Sequence, residues 1–326
     1  MTYWFLDNET WNWESPYVFK TEEYAEDVVA YGTAMKKECL DIKLIVNPCS
    51  SKSYNDWQGL ERFISETAAV IDFVDVHWYW AWGQSSFDLW IKQTPLETGD
   101  KWKDPQISRP FEQDIALIKE CFRRAGAPHI GLVVLEWNIG PSNWSQTFNQ
   151  SLIAIIQAEL LMEFARGGVQ LTCLWPLIWR TSRDVWPEQD FFPSIVTQDP
   201  PFEQTLSLEM FRLFSPIQGK TLLKTQCSDK NFRSLAAEDK YGRKHLIFIN
   251  KSPLRRRITL SFEKTISSKV SGEMIGLKHQ VIRAQSIDSV KDNQIIFYAE
   301  PYSFIAIEIG QSSSPVSYTH LTLPTN

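Results

Sequence analysis

Through the first two thirds of the chain, short continuous apolar runs alternate with stretches whose apolar residues recur at helical spacing. Residues 2–6, 42–46, 73–77, 130–135 and 169–174 are the apolar runs. Between them, Thr21 caps a stretch with Tyr24, Val28, Tyr31 and Met35 on one face, and Asn55 or Asp56 opens another through Leu60, Phe63 and Ile64. Such spacing predicts amphipathic helices. Pro110 opens a further helix in a first-turn position, through Ile115, Ile118 and Phe122, and it stops at Gly126. Residues 147–166 form a long helix ended by Gly167-Gly168, and residues 205–214 a short one. Strand runs that are apolar throughout, alternating with helices, predict a parallel sheet covered on its faces by helices.

Beyond about residue 222 the pattern changes. Short β runs at 233–237, 245–250, 257–262, 280–284, 295–298 and 303–309 are separated by turn residues. They predict a small antiparallel sandwich. The Arg255-Arg256-Arg257 run reads as a solvated turn within it. The expected division is therefore an α/β unit over 1–216 and a β-sandwich over 217–310. Residues 311–326 are set aside, because VSYTHLTLPT at 316–325 has no relation to the preceding pattern and reads like translated adapter sequence.

Composition narrows the function. With 33 Lys and Arg against 39 Asp and Glu, the net charge is -6, and 43% of residues are hydrophobic. These values exclude a disordered, collagen-like or coiled-coil chain, and the absence of a basic stripe argues against nucleic acid as partner. No run reaches the roughly 20 apolar residues of a membrane span; the longest, 152–164, is broken by Gln157, Glu159 and Glu163. The five cysteines (Cys39, Cys49, Cys121, Cys173, Cys227) are odd in number and lack metal-type spacing, so free thiols are the reading and no metal or cofactor is called for. All 14 tryptophans lie between Trp4 and Trp186. That concentration suits a partner with flat apolar faces and polar edges, such as a sugar ring, although core packing would also use indoles.

Two of the apolar runs end in a carboxylate. Tyr-Trp-Phe-Leu-Asp-Asn-Glu places Glu9 just past the first strand, after Asn8 and before Trp11; Gly-Leu-Val-Val-Leu-Glu-Trp-Asn places Glu136 at the end of the fourth. A carboxylate in such a position is expensive to bury without a task or partner. Strand C-terminal ends form the active face of a (β/α)8 barrel, and a carboxylate pair on that face predicts glycoside hydrolysis.

With these motifs in view, the chain resembles the retaining glycoside hydrolases of clan A, closest in style to the family 51 α-L-arabinofuranosidases. In that clan an Asn-Glu pair at the fourth barrel strand carries the acid/base, which here falls on Asn8-Glu9. A Glu at the seventh strand is the nucleophile, which falls on Glu136 within Glu-Trp-Asn. The sixth-strand His-x-Tyr matches His77-Trp78-Tyr79, whose tyrosine would orient the nucleophile, and the eighth-strand tryptophan matches Trp175. The resemblance implies a partial TIM barrel, strands four to eight, with the first three upstream of Met1, followed by the clan's accessory β-sandwich. It implies sugar contacts from Asn8, Trp11, His77, Tyr79, Trp137, Asn138 and Trp175, a carbohydrate partner, and no cofactor. Asp7 stands where the arabinofuranosidases usually have Gly, and the 80–109 loop is long, with Trp80, Trp82, Trp90 and Trp102. Those departures leave room for an endo-acting agarase-like or cellulase-like relative. A carbohydrate-binding protein without turnover is the alternative of another class. The compartment stays open, a secreted or periplasmic setting being compatible.

Overall fold

The computed structural model describes residues 2–10, 15–17, 20–48, 57–98, 108–141, 149–178, 192–197, 200–263, 269–277, 281–291 and 293–310. The chain divides into two compact units, Met1–Phe211 and Arg212–Asn326. No described helix is long and apolar enough to cross a membrane.

In the first unit the elements run β1 (Tyr3–Phe5), α1 (Thr21–Glu38), β2 (Lys43–Val46), α2 (Trp57–Thr67), β3 (Phe73–Trp80), α3 (Phe87–Lys92), α4 (Phe111–Arg124), β4 (Gly131–Ile139), α5 (Gln150–Gly167) and β5 (Thr172–Leu174). Helix α6 (Leu206–Phe214) follows. The five strands pair in chain order, every pair parallel, into a curled half-barrel sheet. This is a partial (β/α)8 barrel, as the alternation of apolar runs and helices predicts. β1 lies at one edge and leaves Tyr3, Trp4 and Phe5 exposed.

Local details depart from the sequence reading. On α1 the buried residues are Tyr24, Ala25, Val28 and Gly32, whereas Tyr31 faces solvent. Gly32 turns the stripe, because a Cβ there would meet Val70 Cβ at 2.9 Å, so the helix seats closer than any side chain would allow. Lys20, not Thr21, is the cap, and Pro110 is the residue before α4 rather than inside its first turn. Asn149 starts α5 by accepting from the Leu152 amide at 2.8 Å, and Gly168 ends it in the left-handed region at φ 73°. Helix α3 lies within the segment read as loop; it is capped by Ser86 and held by Trp90, whose indole donates to Glu159 Oε2 at 2.7 Å.

The core of this unit takes half of the eight described tryptophans. Trp78, Trp80, Trp90 and Trp137 are all fully buried. Trp78 stacks on Phe164 of α5 at 6.0 Å and meets Phe111 of α4 edge-on, and Trp137 meets Phe164 edge-on at 5.6 Å. Much of the indole excess is therefore packing between sheet and helices.

The second unit is a β-sandwich. One sheet has the order β11-β10-β14-β8-β7-β6 and the other β12-β13-β9. The strands are β6 (Thr221–Leu223), β7 (Phe232–Glu238), β8 (Lys244–Asn250), β9 (Arg256–Ser261), β10 (Val270–Gly276), β11 (Val281–Ala284), β12 (Ile287–Lys291), β13 (Gln294–Ala299) and β14 (Ser303–Ile309). Phe248 of one sheet and Phe297 of the other meet at 5.7 Å in a core shared with Phe232, Met274 and Ile305. β10 and β12 were not legible as runs. The arginine run is not a turn: Arg256 begins β9, and Arg255 pairs with Glu300 at 3.0 Å while lying over Tyr298.

Candidate active site

Side chains alternate across a strand, so Asp75, His77 and Tyr79 of β3 share one face while Trp78 and Trp80 share the other. In a parallel sheet the paired residues of β4 point the same way. Asp75 pairs with Val133, but His77 pairs with Glu136, so Val134 and Leu135 together oppose Val76. The same extra residue shows against β5, where Val134 pairs with Thr172 and Trp137 with Leu174. This is a β-bulge, and it reverses the phase of β4. Beyond it Glu136 and Asn138 turn to the face of His77 and Tyr79, and Trp137 turns to the helices beside Trp78.

Glu9 reaches the same place from the segment after β1. Its backbone sits at φ 46°, a region that costs a non-glycine residue energy and needs outside support. Asn47, at the end of β2, supplies it: its side-chain Oδ1 accepts from the Glu9 amide at 3.0 Å, and its carbonyl accepts from the Thr10 hydroxyl at 2.8 Å.

These polar side chains then converge. Tyr79 donates its hydroxyl to Glu136 Oε1 at 2.5 Å. His77 Nδ1 lies 3.0 Å from Glu9 Oε1 and 3.5 Å from Glu136 Oε2, and its Nε2 lies 3.1 Å from Asp75 Oδ2. The carboxylates of Glu9 and Glu136 remain about one-quarter open, at 27% and 21%, whereas His77 is 4% exposed. Burial pulls the His77 pKa down, but the bonds to Asp75 and Glu9 and the charges of Asp75 and Glu136 outweigh it and raise the group to about 9. His77 is thus an imidazolium at neutral pH. Burial pushes the Glu136 carboxyl up, with the charge of Glu9 adding to it; cationic His77 and the Tyr79 hydroxyl pull the other way. Burial and the neighbouring Glu136 raise the Tyr79 phenol, which stays a donor throughout.

Among the described residues, Glu9, His77 and Glu136 are the group whose ligand-type atoms lie within 4.8 Å of one another.

An aromatic corner flanks the pair. Trp175 is 36% exposed and lies 6.3 Å from the Tyr79 ring, and Phe192 lies 5.0 Å from Trp175 and 5.4 Å from Tyr79. Trp82, half-buried, meets Tyr79 edge-on at 5.0 Å. Its turn is welded to the end of β4: the Gly140 amide donates to the Trp80 carbonyl at 2.7 Å, and a Cβ on Gly140 would strike Trp82 Cα at 2.4 Å.

Two predicted contacts are corrected. Trp137 is fully buried against Phe164 and Phe211, with no surface to offer a sugar. Asn138 is equally buried and its amide is fully used: Nδ2 donates to the Trp175 and Pro193 carbonyls at 2.7 and 2.6 Å, and Oδ1 accepts from the Ile139 amide and Gln157. It seats Trp175 rather than a ligand. Asn8 is exposed next to Glu9, and Trp11 lies outside the described residues. Asn47, Asp75 and Phe192 were not singled out for the site. Asp75 could have been, because a carboxylate inside the apolar run Phe-Val-Asp-Val-His carries the same signal that marked Glu136.

No protein-family model and no curated sequence matches the chain. Solved structures do. A thermostable family 51 α-L-arabinofuranosidase from Thermotoga petrophila RKU-1 superposes with a TM-score of 0.68 at 14% identity, over 95% of this chain and 66% of that one. A family 51 α-L-arabinofuranosidase from Bifidobacterium longum gives 0.69 at 12% identity, over 94% and 66%. A family 44 endoglucanase from Clostridium acetobutylium gives 0.67 at 15% identity, over 95% and 66%. The chain thus spans just under two thirds of the length of these proteins. At such identities the likeness is one of fold: this chain has the half-barrel and trailing β-sandwich found in those glycoside hydrolases.

Proposed function

We propose that the chain carries the reacting carboxylates of a retaining O-glycoside hydrolase. The observation behind this reading is the convergence of Glu9 and Glu136 on one face, with a carboxylate oxygen of each within 4.8 Å of the other. Retaining enzymes need their carboxyls roughly 5–5.5 Å apart, whereas inverting ones leave room for a water at about 6.5–9.5 Å. The fold likeness to arabinofuranosidases and an endoglucanase supports the same reaction class.

Glu136 suits the nucleophile. It is oriented by the Tyr79 hydroxyl and faced by cationic His77, both of which favour its ionised form against the cost of burial. It attacks the anomeric carbon, forming a glycosyl ester as the bond to the leaving oxygen breaks. Glu9 gives its proton to that oxygen, then takes one from the water that hydrolyses the ester. Trp175 and Trp82 flank the site as apolar surfaces for a sugar ring. An arabinofuranoside from a plant or algal cell-wall polysaccharide is the substrate class we favour.

Azide rescue with aryl α-L-arabinofuranosides and aryl β-glucosides tests the roles. Glu136→Gln should abolish turnover with every leaving group. Glu9→Gln should lose about 10²–10⁴ in rate, less for an acidic phenol, and azide should restore turnover with a glycosyl azide of retained configuration. Rescue at Glu136→Gln giving a glycosyl azide of retained configuration, with none at Glu9→Gln, would reverse the two assignments.

A further inference from the structure

Asp75 is fully buried in the middle of β3, and its carboxylate accepts three hydrogen bonds. Oδ1 takes the Leu135 amide at 2.7 Å. Oδ2 takes the Asn47 side-chain amide at 2.9 Å and faces His77 Nε2 at 3.1 Å. Each bond leads to a different part of the site. Leu135 belongs to the bulge of β4, and its amide is freed from the ladder by the extra residue; capping it holds the phase that turns Glu136 inward. Asn47 holds the backbone of Glu9 in its left-handed conformation. His77 lies between the two glutamate side chains.

We propose that Asp75 is the positioning residue that joins the two glutamates into one geometry: it fixes Glu136 through the Leu135 bulge, Glu9 through Asn47, and the cation between them through His77. The proposal rests on reading Glu9 and Glu136 as the reacting pair. A fully buried carboxylate is costly, and an apolar residue at this position of an apolar strand would cost less. Its three donors come from β2, β3 and β4, so the charge stands where those strands must agree. The groups facing His77 are Asp75 on its own strand, Glu9 from the segment after β1 and Glu136 from β4; the Tyr79 phenol adjoins Glu136, and the Cys173 thiol of β5 lies within the field of Asp75. With Asp75, Glu9 and Glu136 around it, a neutral imidazole would leave the cluster with one hydrogen-bond donor fewer.

Asp75→Asn keeps the shape but has one acceptor oxygen for three donors. The test is nitrogen-resolved NMR of His77 together with amide hydrogen exchange, both on the full chain. At about pH 8, wild-type His77 should carry both ring protons, given its pKa of about 9. In Asp75→Asn it should lose one and titrate more than one pH unit lower, and exchange at the Leu135 amide should quicken at least tenfold. A wild-type His77 already neutral at that pH, or a folded variant in which neither readout moves, would overturn the proposal. Should Asp75→Asn fail to fold, Asn47→Ala decides: it should speed exchange at the Glu9 amide at least tenfold while leaving His77 doubly protonated, and no change at Glu9 counts against the proposal. None of these readouts requires turnover, so a failure of the hydrolase reading is separable from a failure of this one.

Discussion

The two faces of the β3–β4 pair carry opposite chemistry. One holds Trp78, Trp80 and Trp137, all fully buried; the other holds Asp75, His77, Glu136 and Tyr79, linked in series at 3.1, 3.5 and 2.5 Å. On β3 strict alternation makes this division. On β4 alternation alone would have put Val133, Leu135 and Trp137 on the polar face, and the bulge at Val134-Leu135 prevents it. One inserted residue decides which of two neighbours, Glu136 or Trp137, meets the cleft. Residue type does not announce a role here: Trp137 is core, while Trp175, one strand away, keeps a third of its surface open.

The strongest way to break this division is to insert one alanine between Leu135 and Glu136. With the bulge kept, the strand beyond would shift by one residue, sending Glu136 among the helices and Trp137 into the cleft. Burying that unpaired carboxylate and evicting a fully packed indole should together exceed the roughly 5–15 kcal/mol that holds a domain folded. The expected outcome is a chain without a cooperative thermal transition by circular dichroism.

Next comes the contrast between the two tryptophans. Trp137→Ala should cost about 3–5 kcal/mol in urea unfolding, as large-to-small core changes do, with KM unchanged for the molecules that fold. Trp175→Ala should cost less than about 1 kcal/mol in stability, as changes at partly open positions do, and should raise KM instead. If both behaved alike, the division into core and cleft indoles would be wrong.

The polar face should also show itself in the pH dependence of stability. His77 has a folded-state pKa raised from 6.5 to about 9. A raised cationic group stabilises fully below its unfolded pKa and loses that contribution as pH rises through the folded value. The window is therefore pH 6.5 to about 9, and at 1.36 kcal/mol per unit the loss is about 3 kcal/mol. Urea unfolding across that window should show the decline, and His77→Gln should flatten it. Tyr79→Phe removes a hydrogen bond to a charged acceptor worth about 1.5–3 kcal/mol. The Glu136 carboxyl, already pushed up by burial, should rise further, so the acidic limb of the activity profile should move to higher pH.

How much of this was legible beforehand depends on the range of the interactions. Periodicity is local, so the five parallel strands, the main helices and the change to β-sandwich could be read from runs of residues. Short strands such as β10 and β12 and the six-residue α3 escaped, because a Gly-containing or charged segment forms a strand only when a partner is present. Glu9 and Glu136 were legible because a carboxylate closing an apolar run is costly wherever the strand ends up.

What the sequence determined by itself, then, was the kind of sheet and which titratable side chains would stand at its strand ends. The tertiary structure alone decided which way those side chains point and what they touch. Two residues of β4 had to face one residue on each neighbouring strand before the bulge existed, and only the bulge turns Glu136 inward and Trp137 outward. The state of His77 was decided in the same way. Its ring is an imidazolium because Asp75, Glu9 and Glu136 arrive from three separate segments, and the summed field of distant charges is not a property of any stretch of chain.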